Sequence, residues 1–230
     1  SDTRRGAPAV HKKFESLHTN SGWAGSASRF GQAGSVLAGD LMLGWASELF
    51  DSGVKRAPSS EIAWNCRDEF AKMRVEVMAG QYLDVLEENA GPTRSPDEAI
   101  GRANRVMLYK TAKYSIEAPL QIGAAFSGAS AETLRGLSAF AIPLGLAFQL
   151  RDDVLGVFGS PEVTGKPAGD DLREGKRTVL VALTLQNLAP SIGRIFEELL
   201  TSRELEAEQI QFMQQTIVES GALAKTERMM

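Results

Sequence analysis

The chain has 230 residues, a formal charge of −4 and one cysteine, Cys66. That length can bury a full core as one domain, and acidic and basic residues so evenly mixed argue against a nucleic-acid surface, which needs a basic stripe or patch. A lone cysteine excludes a disulfide framework and fits a reducing compartment; with no signal-peptide pattern and no apolar run of roughly 18 charge-free residues, the expectation is a cytoplasmic protein without a stable membrane span.

Residues 1–24 read as a basic loop, with Arg4, Arg5, Lys12 and Lys13 broken by Gly6, Pro8, Gly22 and Gly25. From about Ser26 to Phe50 a helical, small-residue-rich pattern carries Val36, Leu37, Leu41, Leu43 and Trp45. Pro58-Ser59-Ser60-Glu61 offers a cap for the next helix, which runs to about Glu88. Its expected core side is Ile62, Phe70, Met73, Val77 and Leu83. Ser95-Pro96-Asp97-Glu98 has the form of a capping box with Pro at the first helical position. The helix it opens reaches about Ile116, and Pro119 is expected to break or kink it. A short helix over 119–126 follows. Ser130 then starts a long helix with an apolar run from Leu134 to Phe158, bent by Pro143 but not ended by it. Residues 159–177 are polar and glycine-punctuated, a loop with one helical turn. Helices over 178–188, 191–201 and 203–219 close the chain. With no strand alternation, the prediction is an all-α fold, one domain over 1–230 built of long antiparallel helices.

The central stretch is Phe148-Gln149-Leu150-Arg151-Asp152-Asp153-Val154-Leu155-Gly156. Gln149, Asp152, Asp153 and Gly156 fall at i, i+3, i+4 and i+7 and share a helix face. A helix apolar around most of its circumference is usually buried, and adjacent carboxylates there are unfavourable unless cations or donors meet them. A structural ion pair with Arg151 or another base is the plain alternative to a functional site.

Three further clusters bear on that choice. Arg4-Arg5-Gly6, with His11 nearby, can present fixed donors to phosphate oxygens, or be a solvated basic terminus. Lys110-Thr111 can bind a phosphate by charge plus hydrogen bond, or Lys110 can keep its head in water above an apolar stem. Residues 165–178, with Lys166, Asp170, Asp171, Lys176 and Arg177, alternate acids and bases on a loop. Mg²⁺ takes few protein oxygens and the rest from waters and substrate phosphates, so a Mg²⁺–diphosphate site needs both kinds of side chain close together. Cys66 without a partner cysteine, and only two histidines, exclude a zinc site.

These residues resemble the trans-isoprenyl diphosphate synthases, the geranylgeranyl and farnesyl diphosphate synthase family. Phe148 to Gly156 resembles the family's second aspartate-rich motif, Lys110-Thr111 its Lys-Thr pair, and Ser1 to Pro8 the segment after its first aspartate-rich motif. Gly165-Lys166, Asp171 and Lys176-Arg177-Thr178 resemble its following loop, and Gly39-Asp40 and Gly80-Gln81 fall where it has such pairs. The resemblance implies a helical bundle around a central cavity of the isoprenoid synthase type. It implies Mg²⁺ held by Asp152, with Asp153 and Asp171 in support. Lys110, Lys166 and Arg4 would hold the allylic diphosphate, and Arg5, aided by His11, the isopentenyl diphosphate. Thr111 and Gln149 would lie along the developing cation and Lys176 beside the leaving group. Geranylgeranyl diphosphate is the expected product, and a homodimer through the helix near 26–50 the expected assembly.

Two departures stand out. The first aspartate-rich motif is expected just upstream of Ser1, which implies a piece of a longer protein whose isolated activity is low. Gly156 occupies a position where many members carry a third aspartate. A class I terpene cyclase would share the Mg²⁺–diphosphate chemistry, but Arg4-Arg5 and the lysine-bearing loop speak against it. A non-catalytic regulatory subunit is the alternative from another class.

Overall fold

The computed structural model of the chain describes residues 2–4, 6–160, 162, 165, 168–202 and 204–230, Arg4 in its backbone alone. The fold is all-α, and by internal packing the chain falls into two compact units, Ser1–Ala57 and Pro58–Met230.

In the first unit a short antiparallel ladder, β1 (Thr3–Arg4) with β2 (Ala7–Pro8), departs from the expectation of no strands. The loop expected up to residue 24 also contains a helix, α1 (Val10–Asn20). Gly6, Pro8, Gly22 and Gly25 suggested a loop, but all lie outside it, and the intervening residues contain no breaker. α2 (Ala27–Val54) starts at Ser26, whose hydroxyl accepts from the Arg29 N–H. α1 packs on α2 at Gly34, where a Cβ would stand 2.9 Å from the Phe14 ring. His18, Trp23 and Phe30 cluster beside it, Trp23 edge-on to both of the others, with Trp23 and Phe30 centroids 5.3 Å apart.

The second unit begins with α3 (Ser60–Ala90), capped by the Ser59 hydroxyl. Ile62, Phe70, Met73, Val77 and Leu83 are half-buried on its inner side together with fully buried Cys66. Burial pushes the Cys66 thiol up, away from reactive thiolate. The capping box expected at Ser95 does not form, because Pro96–Glu98 is a 3₁₀ turn; the Ser95 carbonyl instead accepts from Arg102 Nη1 at 2.9 Å.

The next helical path runs without a break. It is α-helical over α4 (Ala99–Val106), π-helical over Met107–Glu117, and α-helical again over α5 (Ala118–Phe126). Pro119 does not interrupt it; it falls at the second residue of α5, where the π-helical segment gives way to α-helix. α6 (Ala131–Phe158) carries Pro143 inside it and is capped by Ser130.

The rest follows as α7 (Asp170–Arg173), α8 (Val179–Asn187), α9 (Pro190–Leu200), α10 (Ala207–Glu219) and α11 (Ala222–Met229). α11 is one more helix than expected, set off by Gly221 in the left-handed conformation (φ 76°). The core gathers Val157, Leu172, Leu180, Leu183, Phe196, Leu200, Met213 and Ile217, so it sits under the C-terminal half of α6.

α6 is less buried than its composition predicts. Ala141, Gly145, Leu150, Asp153, Val154 and Val157 are covered, while Phe140, Leu144 and Phe148 at four-residue spacing are exposed. By length and composition alone α6 is also the one described helix that could cross a membrane. A second apolar row runs along α2, where Val36, Leu37, Leu41, Leu43, Trp45 and Leu49 are exposed.

Candidate functional site

Three helices cross at two glycines. The π-helix passes between α3 and α6 so closely that a Cβ on Gly80 would stand 2.8 Å from the Lys110 Cα, and one on Gly145 would stand 2.5 Å from the Ala112 Cα. Contact this close is open only to glycine. It also sets register: the residue one helical turn after each glycine meets the π-helix. Asp84, four after Gly80, takes the Lys110 ammonium, and Gln149, four after Gly145, takes the Thr111 hydroxyl at 2.6 Å. The wide i→i+5 turns let consecutive residues 110 and 111 serve these two different neighbours.

From there the polar groups run in series. The Gln149 amide uses its oxygen on Thr111, so its N–H₂ faces the carboxylates. It donates to Asp153 Oδ1 at 2.8 Å and to Asp152 Oδ2 at 3.3 Å. Arg151, the structural partner the sequence offers, is exposed on another side of α6 and pairs with neither. Asp153 is 5 % exposed and Asp152 is exposed. Burial, with repulsion from Asp171 and Asp152, pushes the Asp153 carboxyl from its ordinary 3.8 up to about 7 despite the Gln149 hydrogen bond.

The remaining members come from the turn after α6. α7 is held between Gly169 (φ 74°) and Gly175 (φ 69°), left-handed conformations that glycine adopts without strain. It buries Asp171, whose Oδ1 takes the Lys176 ammonium at 2.5 Å; Glu174 lies 3.2 Å from the same nitrogen. Burial works to lower the Lys176 pKa, but these two carboxylates outweigh it and hold the ammonium above its ordinary value. Glu88 completes the acidic side; burial and the charge of Asp84 push its carboxyl up, against the lowering pull of Lys110 and Lys176.

Asp84, Lys110, Thr111, Gln149, Asp152, Asp153 and Lys176 therefore line one cleft, beside Arg177 and Thr178. Asp171 lies behind it, locked to Lys176. One exposed carboxylate, Asp152, beside one buried carboxylate, Asp153, in a lysine-bearing cleft suits a hard cation that takes its other ligands from phosphate and water. Among the described residues, no three His, Cys, Asp or Glu side chains converge as a metal cage. Of the other candidates, His11 belongs to the first unit, where Nε2 is 3.3 Å from Asp2 Oδ1. Arg5, Lys166 and the side chain of Arg4 lie outside the described residues. Asp84, Glu88 and Glu174 are charged groups that sequence reasoning missed. The spacing of Asp84 from Gly80 was the available signal, since it repeats between Gly145 and Gln149.

Gly156 has a direct role here. A Cβ at this position would collide with the Asp171 carboxylate, its Oδ1 as well as its Oδ2 and Cγ. Gly156→Ala is expected to displace Asp171 and release Lys176. Loss of the Lys176–Asp171 contact in a crystal structure of the variant, with lower stability than the parent, is the check; an unmoved Asp171 contradicts it.

Asp153 also predicts a pH dependence. Its carboxyl is raised on folding, so between roughly pH 4 and 7 the folded chain holds a proton that the unfolded chain has released. Stability from this group is full below pH 4 and declines as pH rises through 7, by on the order of 4 kcal/mol in all. In buffer free of divalent cations, Asp153→Asn should raise the urea midpoint at pH 8 and make little difference near pH 4. An equal effect at both pH values counts against a buried charge.

The sequence profile described as polyprenyl synthetase matches residues 1–217. A short chain isoprenyl diphosphate synthase of Methanocaldococcus jannaschii is 32% identical over 209 residues, 91% of this chain and 56% of that protein. A farnesyl diphosphate synthase of Geobacillus stearothermophilus is 36% identical over 190 residues, 80% of this chain and 55% of that protein. A crystal structure of geranylgeranyl pyrophosphate synthase from Corynebacterium glutamicum, complexed with isoprenyl diphosphate and magnesium, superposes with a TM-score of 0.89 at 41% identity. That match covers 100% of this chain and 62% of the other. The chain thus spans between about half and two thirds of the length of these three relatives. With a profile match along nearly its whole length, this chain belongs to the polyprenyl synthetase family.

Proposed function

We propose that the chain carries the diphosphate-binding side of a prenyltransferase, which joins isopentenyl diphosphate to an allylic diphosphate. The observation that carries this reading is the cleft, where Lys110, Lys176 and two carboxylates that have no basic partner among the described residues come together at the crossing of α3, the π-helix and α6. Asp152 and Asp153 would hold Mg²⁺, with Asp171 in support once Lys176 turns to phosphate. The metal, when bound, supplies positive charge to the departing diphosphate. Lys110 and Lys176 contribute the remaining cationic contacts, each now resting on a carboxylate that an incoming phosphate replaces. Gln149 holds the carboxylates in place, and the oxygens of Thr111 and Gln149 provide the nearest dipoles to a developing allylic cation. Arg4, Arg5, His11 and Lys166 are proposed for the diphosphate groups on the family pattern.

Geranylgeranyl diphosphate is the proposed product, supported by the likeness to the Corynebacterium glutamicum protein; the Geobacillus stearothermophilus relative is named for the shorter farnesyl product. The test is incubation with Mg²⁺, labelled isopentenyl diphosphate and each allylic diphosphate in turn, followed by measurement of product chain length. A twenty-carbon product is expected, and a shorter or longer one overturns that assignment. The competing reading, a regulatory subunit, is favoured by Gly156, which stands where many family members carry a third aspartate. It predicts no condensation by this protein alone and a changed product when it is mixed with an active synthase.

We also propose a homodimer through α2, on the strength of its exposed apolar row. Leu43→Arg should halve the mass seen by light scattering, and an unchanged dimer mass excludes this face.

A further inference from the structure

Lys176 comes from the irregular connection between α7 and α8, so no helix of its own fixes where its ammonium stands. Two hydrogen bonds tie it to Asp171, from its backbone N–H to the carbonyl at 3.0 Å and from its ammonium to the carboxylate. The residues on either side are held by a different element, α9. Before it, Gly175 lies so close to the end of α9 that a Cβ would stand 2.8 Å from the Leu200 carbonyl oxygen. After it, Arg177 Nη1 donates to Glu197, 2.7 and 2.8 Å from the two carboxylate oxygens. Glu197 and Leu200 are about one turn apart and share a face of α9.

Of these two contacts, only the ion pair pulls. The Arg177 side chain is 11 % exposed, and a guanidinium so covered is unfavourable without a counter-ion. Among the described residues, Glu197 is the carboxylate it pairs with. The arginine stem also passes the end of α3, where a Cβ on Gly91 would stand 3.3 Å from Arg177 Cγ. Arg177 is therefore confined between α3 and α9, and the backbone at Lys176 with it. Lys176, Arg177 and Thr178 line the cleft, whereas Glu197 lies outside it.

We propose that Glu197 is a positioning residue, which holds Arg177 on α9 and so sets the place from which Lys176 meets a diphosphate. This role rests on the reading of the cleft as a diphosphate site. When an incoming phosphate draws the ammonium off Asp171, the tie to α7 weakens, and the brace on α9 is the restraint that remains.

Glu197→Gln keeps an oxygen for Arg177 but removes the charge. Competitive acetylation read by mass spectrometry tests the hold on Lys176 without any ligand. Lys176 should react several-fold faster in the variant, measured against exposed Lys72, while Lys113, paired with Glu76, keeps its rate. An unchanged Lys176 overturns the role of Glu197, and so does an equal rise at Lys113, which would describe general loosening. Calorimetry with Mg²⁺ and inorganic diphosphate tests the consequence. Lys176→Ala should weaken binding about tenfold or more, and Glu197→Gln about tenfold. Glu197→Asp, which keeps the charge, should recover part of that loss. The double variant should bind no worse than Lys176→Ala alone; additive losses would mean that Glu197 acts through something other than Lys176 and overturn the role. Binding indifferent to Lys176→Ala overturns the diphosphate reading of the cleft instead, and the acetylation rates then still uphold or overturn the hold of Glu197 on Lys176.

Discussion

Asp152→Ala is expected to lower prenyl transfer by about 10²–10³-fold or more, the range seen when one preorganised electrostatic contact is removed from a reacting site. Its thermal midpoint should stay close to that of the parent. Asp152 is exposed and, among the described residues, keeps only a long 3.3 Å contact from Gln149, so the fold does not lean on it. Both readouts matter, because a drop in activity with a matching drop in stability would describe a folding defect. Unimpaired synthesis by the variant contradicts the metal assignment. Asn at the same position separates charge from shape: it keeps the Gln149 contact, so a loss as deep as that of alanine points to the negative charge.

The second large effect comes from the glycines at the helix crossing. Gly136 and Gly145 are both inside α6, and a Cβ at Gly136 meets nothing within 4 Å. Gly136→Ala should therefore raise stability by about 0.5–1 kcal/mol, the usual gain for alanine in a helix. Gly145→Ala should reverse the sign and destabilise by roughly 3 kcal/mol, since its Cβ would stand 2.5 Å from the Ala112 Cα and backbone cannot rotate away as a side-chain tip can. It should also break the Thr111–Gln149 contact and so reduce transfer in whatever fraction remains folded. Urea denaturation of the pair gives the comparison directly; two variants of the same sign would mean that the helices can separate without loss.

Much of the helical framework was legible because local chemistry marks it. Ser26, Ser59, Ser130 and Thr178 each cap the helix predicted to follow. Where the punctuation was misread, the reason is equally local. α1 was hidden by breakers that flank it, and Ser95 has the letters of a capping box but leads into a 3₁₀ turn. The cleft was partly legible: Lys110, Thr111, Gln149, Asp152, Asp153 and Lys176 line it together. Their mutual arrangement was not, because π-helical turns leave no periodic trace in sequence, and because the Asp84–Lys110 pair depends on how closely two backbones approach. The burial expected of α6 failed for a related reason, since composition shows that a helix is apolar but not which of its faces a neighbour covers.

The π-helix from Met107 to Glu117 makes the chain intolerant of a change in length there. Deleting one residue would rewind the segment toward α geometry and rotate everything beyond the deletion by about 100°. Lys113, which reaches Glu76 at 2.7 Å, would swing away from its acid if the deletion fell between it and Lys110. Restoring it would rotate Lys110 off Asp84 instead. Substitutions along this stretch can be judged one at a time, but insertions and deletions act on all of its contacts at once, so natural variants should keep the residue count here even where the side chains differ.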